Sequence, residues 1–136
     1  MGTFSRIAHI SIVARDMATS IAWYQRVLGF EPAGDVNPGP AGLEMPRLSM
    51  VHPDSGLTVV VFEPVRRSGD LFDPLRTGLN HISLVVDGPA GLRQWAQRLD
   101  ELGVSHSEVH DIGYAQFLTL ADPDGIAWEL WVPASQ

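Results

Sequence analysis

Apolar and polar residues alternate in two similar stretches of the chain, AHISIVARD and NHISLVVDG. The apolar positions are Ile10 and Ile12 in the first stretch, and Ile82, Leu84 and Val86 in the second. A period of two is typical of a strand with one buried face. We therefore predict a strand in each stretch, with His9 and His81 in matching places, 72 positions apart.

Two helices are predicted by apolar residues spaced three or four positions apart. These residues are Met17, Ile21, Tyr24, Val27 and Leu28 in the first helix, and Leu92, Trp95, Ala96, Leu99 and Leu102 in the second. Asp16 is a suitable N-cap for the first helix. Gly29 and Gly103 are placed to end the two helices.

The pattern of the whole chain indicates two copies of one module. The stretch VHPDSGLTVVVFEP, residues 51–64, is echoed by ADPDGIAWELWVP, residues 121–133. We predict modules at about 4–64 and 78–133, each a strand, a helix and two or three strands, joined by a linker at 65–77. Because about 60 residues bury little surface alone, we expect a single α+β domain over residues 1–136, with a curved mixed sheet around a concave pocket.

Strand alternation places three potential metal ligands on one face of this sheet. The apolar positions of the first strand of each module face the helices, so His9 and His81 face the other way. On the last strand, Glu129 faces the same way as the two histidines. Two imidazoles and a carboxylate are the ligands expected for Fe(II), Mn(II), Zn(II), Ni(II) or a similar ion. The alternative is that each histidine only makes a hydrogen bond at its strand end.

Composition restricts the chemistry to nitrogen and oxygen groups. The absence of Cys excludes disulfides, thiolate nucleophiles and thiolate metal sites. The net charge of −7 disfavours nucleic acid and anionic lipid as partners. No apolar run approaches the roughly 20 residues that span a bilayer, and the first residues lack the pattern of a secretory signal. We expect a cytoplasmic protein that acts on a small molecule.

Three segments resemble a known superfamily: AHISIVARDMATSIAWYQRVLGF, RTGLNHISLVV and ADPDGIAWELW. The chain is similar, over nearly its whole length, to the vicinal oxygen chelate superfamily of glyoxalases, bleomycin resistance proteins and extradiol dioxygenases. The resemblance implies paired βαβββ modules, commonly in a homodimer, and a substrate that chelates a divalent metal through adjacent oxygens. It also implies His9, His81 and Glu129 as the ligands of an ion that the sequence does not identify, Fe, Mn, Ni, Zn or Co.

Glyoxalase-type members of the superfamily have a fourth ligand near the end of the first module, where this chain has Glu63. The internal repeat pairs Glu129 with Val60 and Glu63 with Val132. Strand alternation also gives Glu63 the face of Val61. We therefore expect Glu63 at the rim or on the outer face, unless a bulge shifts the strand register.

Further residues are predicted to line the pocket and bind substrate. Arg47 is a candidate for binding a carboxylate or enolate through paired hydrogen bonds, with a surface position as the alternative. The predicted apolar walls of the pocket are Phe62, Phe117 and Trp131, and the predicted hydroxyl is that of Thr119. No residue is assigned a catalytic role.

The function expected is that of a metal-dependent enzyme, of lyase, isomerase or dioxygenase type, acting on a small oxygenated substrate. One alternative is a dimer that binds a small molecule or antibiotic without turnover, as bleomycin resistance proteins do. A regulatory or structural dimer with a degenerate pocket is the other.

Overall fold

The computed structural model describes residues 2–42, 44–66 and 68–135. The chain divides into two compact units, Met1–Asp70 (unit 1) and Leu71–Gln136 (unit 2). The division falls within the predicted linker at 65–77, of which Arg67 lies outside the described residues.

Unit 1 is a four-stranded mixed sheet with one helix. Its elements are β1 (Ile10–Val13), α1 (Met17–Trp23), β2 (Glu31–Pro32), β3 (Arg47–Val51) and β4 (Thr58–Phe62). The strand order is β1-β4-β3-β2, with β1 parallel to β4 and the other pairs antiparallel.

Unit 2 repeats this order of elements. They are β5 (Ile82–Val85), α2 (Gly88–Glu101), β6 (His110–Asp111), β7 (Ala115–Ala121) and β8 (Ala127–Pro133). The strand order β5-β8-β7-β6 matches that of unit 1, again with the first strand parallel to the last. The α+β class and the βαβββ modules are thus confirmed, as two four-stranded sheets of which neither is closed.

The two faces of the unit 2 sheet differ in composition. Helix α2 packs against β7 and β8, and buries Leu92 and Leu99. Under it lie Trp128, Leu130 and, on β7, the equally buried Leu118, so these apolar residues form the core of the unit. The opposite face, here called the site face, carries Ser83, Thr119, Glu129, Phe117 and Trp131, which are cross-strand neighbours.

Helix α1 differs from the prediction in its last turn. Asp16 caps the helix as predicted, accepting a hydrogen bond from the Thr19 N–H at 2.9 Å. After Trp23 the chain continues as a π-helical turn, Tyr24–Leu28, and ends at Gly29 with φ of 79°. Apolar spacing does not separate a π turn from an α turn, because both bring this short stretch back to the buried face.

Among the residues that the structure describes, the helices are too short or too polar for any of them to cross a membrane.

Candidate metal centre

His81 is held in one orientation by Asn80, at the start of β5. The Asn80 side chain donates from Nδ2 to the Pro74 carbonyl at 2.9 Å, so its Oδ1 faces the His81 ring. That oxygen lies 2.8 Å from His81 Nδ1. Because an amide oxygen can only accept, Nδ1 carries the hydrogen, and in the neutral ring Nε2 is left with a free lone pair.

The free nitrogen of His81 faces Glu129. His81 Nε2 lies 3.7 Å from Glu129 Oε1. Ser83 Oγ donates a hydrogen bond of 2.9 Å to the same oxygen, and Thr119 is the neighbour of Glu129 on the other side, on β7. The Glu129 side chain is 10% exposed and that of His81 is 44% exposed, so a buried carboxylate borders an accessible imidazole.

The separation of these two groups fits a shared cation. At 3.7 Å a nitrogen and an oxygen are too far apart for a good hydrogen bond. Two bonds of about 2.0–2.2 Å, the length of Zn–N and Zn–O bonds, can bridge such a gap. A metal-bound histidine characteristically donates its other ring hydrogen to an oxygen acceptor, as His81 does to Asn80.

Among the residues that the structure describes, no group of three or more His, Cys, Asp or Glu side chains is arranged to hold a metal ion. The remaining predicted ligand, His9, lies in unit 1. It is exposed and directly precedes β1, where alternation gives it the same face as Ser11 and Val13. His9 thus occupies in unit 1 the position that His81 occupies in unit 2.

The strand register of unit 1 determines where Glu63 lies. Pairing of β4 with both neighbours is continuous, with no bulge between Thr58 and Phe62. Val60 is opposite Ser11, just as Glu129 is opposite Ser83, so unit 1 carries valine where unit 2 carries the carboxylate. Glu63 follows the end of β4, where alternation gives it the face of Val61.

Aromatic side chains form a row across the site face of unit 2. Phe117 and Trp131, both predicted to line the pocket, stack with ring centroids 5.6 Å apart and planes 16° from parallel. Tyr114 lies 6.1 Å from Trp131, and His110 lies 5.2 Å from Phe117. We call these four side chains, Tyr114–Trp131–Phe117–His110, the aromatic row.

In unit 1 the corresponding face carries Arg47 and Phe62, which are paired across β3 and β4. The Arg47 guanidinium carbon lies 4.4 Å from the centre of the Phe62 ring, a cation–π contact, and Arg47 Nε donates to the Met45 carbonyl. Both side chains are half-buried. The remaining guanidinium hydrogens leave Arg47 able to bind an anion.

Sequence patterns did not reveal the roles of Asn80 and Ser83. Asn80 directly precedes His81, but its role depends on the Pro74 carbonyl, which no local pattern predicts. The face of Ser83 was predictable from alternation, whereas its bond to Glu129 depends on the parallel register of β5 and β8. His110 pairs with Phe117 in the short strand β6, which no apolar pattern around it predicts.

The sequence matches the family model described as Glyoxalase/Bleomycin resistance protein/Dioxygenase superfamily over residues 6–130, and the chain belongs to this superfamily. This match confirms the resemblance seen in the strand and turn segments. A comparison with curated proteins found no match.

Solved structures with the same fold cover almost the whole chain. A glyoxylase/bleomycin resistance protein/dioxygenase domain from Frankia sp. EAN1pec is 27% identical, with a TM-score of 0.85, over 97% of this chain and all of that one. A glyoxalase family protein from Enterococcus faecalis is 21% identical, with a TM-score of 0.76, over 95% of this chain and 98% of that one.

The fosfomycin resistance protein FosX from Listeria monocytogenes, in complex with Mn(II) and sulfate, is 17% identical with a TM-score of 0.69. The match covers 97% of this chain and 95% of FosX. At this identity the likeness establishes the shared fold.

Proposed function

We propose that this protein is a metal-dependent enzyme that binds a small substrate through adjacent oxygens on a divalent ion. The ligands proposed are His81 and Glu129 of unit 2, together with His9 of unit 1. The observation that carries the proposal is the 3.7 Å separation of His81 Nε2 and Glu129 Oε1. His9 is included because of its equivalent repeat position, and the ligand set suits Fe, Mn, Ni, Zn or Co.

The ion would supply Lewis-acid stabilisation of negative charge on the chelating oxygens of the substrate. Neighbouring residues hold the side chains of the proposed ligands in place by hydrogen bonds. Asn80 fixes the His81 tautomer that presents a lone pair, and Ser83 orients the Glu129 carboxylate. Burial of Glu129 restricts access of water to the carboxylate, which strengthens its attraction to a cation.

The surroundings of the ligands favour a substrate with an apolar part. Trp131 lies two residues beyond Glu129 on β8, so a molecule chelated beside Glu129 borders the rings of Trp131 and Phe117. Thr119 offers a hydroxyl on the adjacent strand. Arg47 and Phe62 are the residues proposed to contact substrate from unit 1, with Arg47 binding a carboxylate or enolate oxygen.

Elemental analysis of protein purified without chelators tests the metal directly. We expect a divalent transition metal in the wild-type protein and none in His81→Ala. The matched control is His52→Ala, since His52 accepts a bond from the Ser55 N–H in a turn of unit 1. Full metal occupancy in His81→Ala would refute the proposed ligand. Turnover is then sought with α-oxo thiol adducts and catechols.

The second candidate is a protein that sequesters a cationic small molecule without turnover. The net charge of −7 favours binding of a cation, and the exposed Tyr114 at one end of the aromatic row could stack on it. In that case binding of a cationic antibiotic survives in His81→Ala and in the presence of chelator, which separates it from the metal-dependent function.

A further inference from the structure

Both ring nitrogens of His106 contact hydrogen-bond acceptors. Nδ1 lies 2.7 Å from the Ser107 carbonyl, and Nε2 lies 2.9 Å from Asp100 Oδ1 at the end of α2. The ring is largely buried, with 13% of the side chain exposed. A neutral imidazole has one N–H and can satisfy one of these acceptors, whereas an imidazolium satisfies both. The contacts therefore select the protonated ring.

The electrostatic surroundings of His106 also favour the protonated ring. Burial lowers the pKa of His106, but the hydrogen bonds to Asp100 and to the Ser107 carbonyl, with the charge of Asp100, outweigh it, so that the pKa is raised. Asp100 is the charged group that acts on the ring from α2. From the sheet, the neighbouring β7 residues are Thr119 and Leu120, which do not titrate in this range.

Ser107 connects the His106 ring to strand β7. Its N–H donates to the Thr119 carbonyl at 2.9 Å, and its Oγ accepts from the Thr119 N–H at 2.9 Å. The hydroxyl acts here in place of the Ser107 carbonyl, which contacts the His106 ring. The chain bulges just beyond this pair, since it advances four positions from His106 to His110 while β7 advances three, from Leu120 to Phe117. Ser107 thus bonds to both the N–H and the carbonyl of Thr119.

Thr119 is the direct neighbour of Glu129 across β7 and β8. The chain of contacts therefore runs from Asp100 on the helix, through His106 and Ser107, to the residue beside the proposed ligand.

Unit 1 makes the same strand connection without these side chains. Pro32 is opposite Met50 on β3, as His106 is opposite Leu120 on β7, and the Ala33 N–H donates to the Ser49 carbonyl at 2.8 Å. Pro32 and Ala33 of unit 1 therefore stand in the positions of His106 and Ser107. The strand next to β3 carries Val60 where unit 2 carries Glu129. The βαβββ fold does not require the His106 contacts, which points to a role in the site of unit 2.

We propose that His106 is a positioning residue: as an imidazolium bound to Asp100 and to the Ser107 carbonyl, it keeps Ser107 paired with Thr119 and so fixes the strand beside Glu129. Loss of the proton removes one of the two ring contacts and loosens this pairing. The proposal depends on the proposed function only in taking Glu129 as a ligand.

Amide hydrogen exchange, measured by NMR on the full chain without metal, tests this directly. Exchange rates divided by their intrinsic values give protection factors, compared from about pH 5.5 to about pH 8.5. We expect protection at the Ser107 and Thr119 amides to fall roughly tenfold as His106 loses its proton, the scale of one charge-assisted hydrogen bond. The Val86 amide, which bonds to the Trp131 carbonyl, serves as the internal reference and stays constant.

Three variants distinguish a positioning role of the His106 imidazolium from simple packing of its ring. His106→Gln lowers protection at Ser107 and Thr119 and abolishes its dependence on pH. Asp100→Asn moves the fall in protection to lower pH, because the charge that favours the imidazolium is gone. Glu101→Gln is the matched control, since Glu101 bonds to Gln97 and not to His106, and it behaves as wild type.

Constant protection at Ser107 and Thr119 across this pH range in the wild-type protein would overturn the proposal, as would the same pH dependence in His106→Gln. Because the exchange experiment needs no metal, its outcome is independent of whether the protein binds one. Failure of the metal proposal alone would leave the pH-dependent pairing intact.

Discussion

His81 Nε2 and Glu129 Oε1 face each other at 3.7 Å, and each belongs to a side chain that is already hydrogen-bonded to a polar neighbour. An acceptor nitrogen and a carboxylate oxygen in this arrangement repel one another unless a proton or a cation lies between them. The separation of 3.7 Å exceeds that of a good hydrogen bond. A divalent metal ion is the occupant that we propose for the pair.

Asn80 is expected to set metal affinity through His81. Asn80→Ala removes the acceptor that fixes the tautomer, and we expect Mn(II) affinity to fall about 10–100-fold, the usual effect of losing an outer partner of a metal-bound histidine. Asn80→Asp retains an acceptor and should restore most of the affinity. Titration calorimetry measures both, and equal affinity in Asn80→Ala and wild type would contradict the assignment.

Ser83 and Ser11 provide a matched pair of tests. Ser83 donates to Glu129, whereas Ser11 occupies the equivalent position opposite Val60. We expect Ser83→Ala to lower Mn(II) affinity roughly tenfold, because the Glu129 carboxylate loses an orienting bond, and Ser11→Ala to leave it unchanged. Parallel titrations of the two variants decide the point, and equal effects would contradict the role of Ser83.

Trp128 and Trp131 lie three residues apart on opposite faces of β8. Trp128 is fully buried, so Trp128→Ala should cost about 3–5 kcal/mol of unfolding free energy. Trp131 is half-buried on the site face, and Trp131→Ala should cost roughly 1–2 kcal/mol while weakening substrate binding. Urea denaturation measures the two costs, and equal costs would indicate that Trp131 is a core residue.

The stability of the protein should depend on pH through His106. Its native pKa is raised, so its contribution is present in full below the unfolded value near 6.5 and is lost as pH rises through the higher native value. Wild type should therefore be more stable than His106→Gln at about pH 6 and lose part of that advantage by about pH 8. Because Asp100 is exposed, we expect an effect within about 0.2–1 kcal/mol. Urea denaturation at the two pH values tests it, and an unchanged difference would contradict it.

The repeat, the helices and the faces of the strands were predictable from sequence, because each depends on a periodicity of neighbouring residues. Alternation alone gave Glu129 the face of Ser83, and the structure places them opposite one another on β5 and β8. The internal repeat pairs Val60 with Glu129, and in the structure Val60 is opposite Ser11 as Glu129 is opposite Ser83.

Features that depend on tertiary contacts were not predictable. The bulge between Ser107 and His110 arises from a mismatch in length between two paired segments, and no residue pattern within either segment reveals it. The bond between His106 and Asp100 joins a strand segment to the end of a helix. The hydrogen bond from Asn80 to Pro74 similarly depends on where the segment before β5 lies.

In the proposed site, Glu129 binds the divalent metal ion and Glu63 does not. Titration of Mn(II) into metal-free wild type, Glu129→Gln and Glu63→Gln compares the two carboxylates directly. We predict that wild type and Glu63→Gln bind with similar affinity, and that Glu129→Gln loses more than about 100-fold, beyond the effect of an outer partner. Wild-type affinity in Glu129→Gln, or no binding by the wild-type protein, would contradict the account.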